Sequence, residues 1–164
     1  MEYNEPAGKI IDLYLMKFAH LAKLTVFSYE HENEKAILDS FLGFFPFGLD
    51  ENKAKLSRKN AIGFNDSKII IFEVTLAKQS LISQFIKNLT SNLSEEQKKI
   101  LSSQMDSRLD QNLDFFVRFD KDSWVNGKKL ELTDSGRCFH LKMSIAAFPK
   151  KRNIAFGIIS EMLK

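Results

Sequence analysis

Phe115-Phe116-Val117-Arg118-Phe119-Asp120-Lys121 is the stretch that decides the fold. With Leu113 in front, it alternates. Leu113, Phe115, Val117 and Phe119 share one face, and Phe116, Arg118 and Asp120 share the other. Strict alternation of this kind is a strand with one buried side. The second side carries a cation and an anion, so it faces water.

Working outward, Cys138 to Ala147 repeats the pattern, with Phe139, Leu141, Met143 and Ile145 set against His140, Lys142 and Ser144. Ile69 to Leu76 does the same around Ile70, Phe72, Val74 and Leu76, with Glu73 and Thr75 opposite. Lys17 to Glu30 is rich in β-branched and aromatic residues and reads as the first strand. A short strand is expected within Lys55 to Ile62. Asn126-Gly127 reads as a tight turn, followed by a short strand from Leu130 to Thr133.

Between the strands the spacing becomes helical. Asn33 caps a helix carrying Ile37, Leu38, Phe41, Leu42 and Phe45, closed by Gly43 and Pro46. Gln79 to Leu89 places Leu81, Ile82, Phe85, Ile86 and Leu89 on one side. Ser94-Glu95-Glu96-Gln97 is a capping box, opening a helix expected to run to about Ser107. Lys150 to Lys164 reads as a closing helix. The expected architecture is α+β: a two-layer sandwich of a mixed or antiparallel sheet with helices on one face. Residues 1–15 read as an N-terminal extension and 16–164 as one domain, with Met16 a candidate natural start.

The 164 residues include 15 Phe, enough to fill a core without disulfides. The single Cys138 fits a reducing, cytoplasmic setting. No apolar run approaches the roughly 18 residues of a membrane span, and Glu2 and Glu5 precede the short run Ile10 to Leu15, unlike a secretory signal. The net charge of +3 is small, but its distribution is uneven. Lys53, Lys55, Arg58 and Lys59 form one acid-free stretch, and Arg137, Lys142, Lys150, Lys151 and Arg152 another. Such asymmetry creates a local positive field.

Catalytic patterns are missing from the sequence. The three histidines are not at ligand spacing, and there is no Cys-x-x-Cys, phosphate loop or nucleophile elbow. Asp114 and Asp120 lie about 20 Å apart at strand rise, too far to share a cation. Asp120 is expected to pair with Arg118 and orient it. No catalytic residue, metal site or cofactor is therefore expected. Cys138 reads as a structural thiol. Phe116 and Trp124 are candidates for stacking on bases, although Trp124 reads more simply as a hydrophobic plug at the strand end.

Four segments resemble a family of archaeal RNA-binding proteins described as predicted exosome subunits, which share the fold of the ribosomal 5S-RNA-binding protein. The sharpest match is Arg118-Phe119-Asp120-Lys121-Asp122 with Gly127 behind it. Leu93-Ser94-Glu95-Glu96 and His31-Glu32-Asn33-Glu34 with Ile37-Leu38 are similar to the family's helix starts. Gly63-Phe64-Asn65-Asp66 with Ile69 matches its glycine turn loosely. The resemblance spans about Leu21 to Pro149. His31 stands where the family has Thr, Asp122 where it has Gln, and the second turn glycine is missing.

The resemblance implies a non-enzymatic RNA-binding protein, an accessory of RNA processing or the exosome, with exosome or ribosome-related proteins as further partners. Phosphate contacts are expected from Arg118 and Lys121. Lys128, Lys129, Lys142, Lys150, Lys151 and Arg152 extend the field, and Asp120 holds Arg118 in place. No membrane partner is expected. The competing reading is a protein-interaction module or homodimer, using the open sheet face and the loop Phe44-Phe45-Pro46-Phe47.

Overall fold

Alternation along five segments builds one sheet in the computed structural model, which describes residues 16–164. The strands are β1 (Ala19–Tyr29), β2 (Leu56–Ile62), β3 (Lys68–Leu76), β4 (Asp114–Asp120) and β5 (Cys138–Ile145). Their spatial order is β2-β3-β1-β5-β4, and every neighbouring pair is antiparallel. The expected extension, residues 1–15, lies outside the described residues.

Six helices are described: α1 (Glu34–Leu42), α2 (Gln79–Ser91), α3 (Glu95–Ser103), α4 (Met105–Arg108), α5 (Lys121–Gly127) and α6 (Arg152–Met162). The Asn33 side chain caps α1. Ser94 and Gln97 satisfy each other's backbone N–H groups at the start of α3. These caps offset the unpaired amides that begin every helix.

The buried face of the sheet carries Leu24, Val26, Phe72, Val74, Phe115, Val117, Phe119, Phe139 and Leu141. Against it pack Ile37 and Phe41 of α1, five apolar residues of α2, Leu101 of α3, and Ala155 and Ile159 of α6. Each fully buried Leu, Ile or Phe contributes about 1.5–3 kcal/mol. Phe44 joins the layers, with its ring centroid 5.8 Å from Phe119, 4.9 Å from Trp124 and 5.0 Å from Phe139.

Three local expectations are corrected. Asn126-Gly127 is no hairpin turn: both residues lie in α5, and the left-handed position falls on Lys128 (φ 50°). Local turn preference gives way there to the Asp120 cap and to Trp124, whose indole N–H donates to the Ser40 carbonyl at 2.7 Å. Leu130 to Thr133 forms no strand, only a single bridge between Leu132 and Phe119. The helix expected to reach Ser107 breaks at Gln104 (φ −104°, ψ 10°) into α3 and α4. That break carries the chain around the edge strand β4, where Leu109 bridges Phe115.

Candidate nucleic-acid interface

The sheet face turned away from the helix layer is built by period-two geometry, so its residues follow from the register. Thr25 pairs with Glu73 on one side and His140 on the other, and His140 pairs with Arg118. One step along, Thr75, Lys23, Lys142 and Phe116 form the next row. The face therefore presents three cations, a histidine and an aromatic ring within two adjacent rows.

Its pairings differ in kind. Lys142 bonds Asp114 at 3.1 Å, and Lys23 lies 3.8 Å from Glu73. Arg118 is exposed and makes no ion pair with any described residue; its Nη1 donates to the Asp134 backbone carbonyl at 3.2 Å. His140 sits with its ring centroid 5.6 Å from that of Phe116, the planes tilted by 32°. Burial lowers the His140 pKa below its ordinary value, and Arg118, Lys23 and Lys142 add to the effect. The imidazole thus resists adding a further positive charge to a face already cationic.

At the β4 edge this face deepens into a cleft of about 610 Å³, lined by Gln104, Ser107, Arg108, Phe116, Arg118, Asp134 and His140. Arg108 donates through Nε to Gln104 at 2.9 Å and through Nη1 to the Phe116 carbonyl at 3.3 Å. Its Nη2 stands 4.0 Å from the fully exposed Asp134 carboxylate. Burial lowers the Arg108 pKa, Asp134 opposes that, and the Arg118 cation adds to it. Two guanidinium groups thus converge on one residue, Arg118 on the backbone carbonyl of Asp134 and Arg108 beside its carboxylate.

The expected site residues are not one cluster. Arg118 and Lys142 lie on the open face as read. Lys121 does not: it is 2% exposed, and its ammonium donates to the Phe27 carbonyl at 2.6 Å and to Glu32 at 3.0 Å, beneath the Tyr29 ring. It is a buried structural cation. Arg152 is also committed elsewhere, pairing with Asp106 and donating to the Leu109 and Asp110 carbonyls while covering the Phe156 ring. Asp120 does not orient Arg118; its carboxylate accepts from the Ser123 N–H and hydroxyl. Those bonds hold its pKa below the usual range.

Lys128 and Lys129 follow α5, the first 3.5 Å from the Ser40 hydroxyl and the second paired with Glu131 at 2.8 Å. Lys150 and Lys151 are exposed in the loop before α6. In the other basic stretch, Arg58 turns to the helix side and pairs with Glu34 at 2.8 Å. The sharpest sequence match, Arg118 to Lys121, is therefore mostly architecture: Phe119 is core, Asp120 is a half-buried cap, Lys121 is a buried anchor, and of the four only Arg118 is fully on the surface.

Arg108, Gln104, Ser107 and Lys23 were missed. Lys23 follows from the alternation of β1, Lys23-Thr25-Phe27. Arg108 carries no local signal, because only the break at Gln104 brings it to the sheet. The Phe44–Phe47 loop is likewise no exposed patch, since Phe44 and Phe45 are buried. Trp124 is the plug its position suggests. Burial raises the Cys138 thiol pKa, despite the opposing Arg118 and Lys121 charges, so it is not an activated nucleophile. Among the described residues, no group of three or more His, Cys, Asp or Glu side chains could hold a metal ion. Among them, too, no helix is long and apolar enough to cross a membrane.

A sheet covered by helices on one side, and carrying cations and an aromatic ring on the other, defines an α+β protein with one open sheet face. The chain belongs to the family described as RNA binding, whose model matches residues 22–145. It is 22% identical to the RNA-binding protein PAB1135 of Pyrococcus abyssi over 146 residues, 89% of this chain and 94% of that one. Its fold is that of AF2318 from Archaeoglobus fulgidus, with a TM-score of 0.77, 24% identity, and coverage of 88% of this chain and 99% of that one. Mth689 of Methanothermobacter thermautotrophicus, a DUF54 protein, gives a TM-score of 0.68 at 23% identity, covering 90% and 99% of the two chains.

Proposed function

We propose that this chain binds RNA through the open face of its sheet, with Arg118 as the principal phosphate contact and Lys142, Lys23 and Arg108 around it. The observation that carries this reading is Arg118 itself: an exposed guanidinium on the edge strand of the bare face, held by a backbone carbonyl and by no described carboxylate. A phosphate can take that cation without first breaking an ion pair. Lys128, Lys129, Lys150 and Lys151 lie further out and supply long-range attraction rather than contacts. The protein acts as a non-enzymatic binder in the cytoplasm. An accessory role in RNA processing, beside the exosome or ribosome-related proteins, and kinship with the ribosomal 5S-RNA-binding fold rest on the family resemblance of the Arg118–Lys121 segment.

The test is a fluorescence-anisotropy titration of labelled RNA across a range of KCl concentrations. Binding through three or four phosphates gives a slope of log K against log salt of about −2 to −4. Arg118→Ala weakens binding and reduces the slope by about one, with an unchanged urea midpoint. Salt-independent binding, or full affinity in Arg118→Ala, contradicts the proposal.

A further inference from the structure

We infer that the cleft at the β4 edge receives one unpaired nucleotide of the RNA, its base on the Phe116–His140 ring pair and its phosphate between Arg118 and Arg108. This rests on the RNA-binding reading of the same face and specifies which form of RNA that face takes.

The shape of the site comes first. A volume of about 610 Å³ lies within the range of about 300–1,000 Å³ typical of small-ligand sites. A paired duplex keeps its bases stacked inside a rod and presents phosphates and hydroxyls on its outside. Such a rod meets a flat or gently curved surface, and the cleft lined by Phe116 and His140 would stand unfilled beneath it. An unstacked base fills it, because every base offers a ring face that stacks on an aromatic side chain.

The chemistry agrees. Phe116 and His140, 5.6 Å apart, form a nearly continuous ring surface. On the wall, Gln104 spends its carbonyl on Arg108, which leaves its amide NH₂ to donate. Ser107 spends its hydroxyl proton on the Gln104 backbone carbonyl, which leaves its oxygen to accept. A donor and an acceptor therefore flank the ring pair, as the edge of a base requires. At the mouth, Asp134 offers its backbone carbonyl to Arg118 at 3.2 Å and its fully exposed carboxylate to Arg108 at 4.0 Å. It stands where the phosphate goes and competes with it.

Three RNA probes decide the matter: a ten-nucleotide single strand carrying one 2-aminopurine, a blunt duplex of the same sequence, and adenosine monophosphate. The single strand binds at least about tenfold tighter than the duplex, and its fluorophore is quenched as it stacks. Phe116→Ala costs about five- to a hundredfold in single-strand affinity, and Phe116→Trp restores it while reporting on the fold. Asp134→Asn tightens binding.

Equal affinity for duplex and single strand, with Phe116→Ala silent and Arg118→Ala still harmful, overturns the nucleotide cleft and leaves RNA binding intact. Binding of no RNA form at all removes both. Competition by the monophosphate at concentrations equal to the oligomer's also overturns it, and reassigns the cleft to a free nucleotide.

Discussion

Replacing Lys121 with Ala separates the architecture of this face from its function. The Lys121 ammonium is 2% exposed and Glu32 10% exposed, and a 3.0 Å ion pair joins them. The substitution removes that pair, the bond to the Phe27 carbonyl and the cation lying 5.0 Å over the Tyr29 ring. Breaking one side of a buried pair costs about 3–5 kcal/mol. Arg137, 3.2 Å from Glu32 and itself half-exposed, keeps one partner on the carboxylate, which places the loss toward the lower end.

In a domain of this size the fall in Tm is about 6–20 °C, at about 2–4 °C per kcal/mol. The assay is urea unfolding followed by Trp124 fluorescence, run beside the RNA titration. The Lys121→Met, Glu32→Gln double variant recovers much of the loss, because it leaves no buried charge and keeps an acceptor for the Tyr29 N–H. Lys121→Ala with an unchanged unfolding midpoint and abolished RNA binding would refute the reasoning, and make Lys121 a phosphate contact after all. The same network sets an acid limit. Burial pushes the Glu32 carboxyl up, but the Tyr29 N–H, Lys121 and Arg137 outweigh it and hold it below its ordinary 4.5. Its contribution is complete above pH 4.5 and is lost as the pH falls through the lower folded value.

Two further outcomes follow from the same geometry. Trp124→Phe removes the 2.7 Å bond to the Ser40 carbonyl and strands a buried acceptor, costing about 1–3 kcal/mol in urea unfolding followed by circular dichroism, while RNA affinity stays unchanged. His140, kept neutral by burial and by Arg118, Lys23 and Lys142, gains a proton more readily once a phosphate joins the face. RNA affinity therefore rises as the pH falls below the ordinary 6.5, by about tenfold for each unit of induced shift, and His140→Gln abolishes the trend. Without RNA the sign reverses. The unfolded chain takes that proton first, so His140 costs stability as the pH falls below 6.5.

The strands and helix caps were legible because their signals are local. The alternation of β5 and the Ser94–Gln97 box specify geometry within a few residues, and the structure has both. The segment after β4 was misread for the opposite reason. Asn126-Gly127 favours a turn locally, but the Asp120 carboxylate starts a helix and Trp124 anchors it to Ser40, 84 residues away in sequence. Lys121 shows the same limit. A lysine after a strand looks available to solvent until the end of β1 folds over it. Arg118 was readable from its place on the polar side of β4. Arg108 was not, since its approach to Arg118 depends on where α3 breaks.

Mapping RNA-induced amide and side-chain shifts by ¹H–¹⁵N NMR on the protein tests the central claim most directly. Perturbations confined to Lys23, Thr25, Gln104, Ser107, Arg108, Phe116, Arg118, Asp134, His140 and Lys142, with the α1 and α2 helices silent, are the predicted result. Shifts centred on the helix layer, or on Lys150 and Lys151 alone, would contradict it.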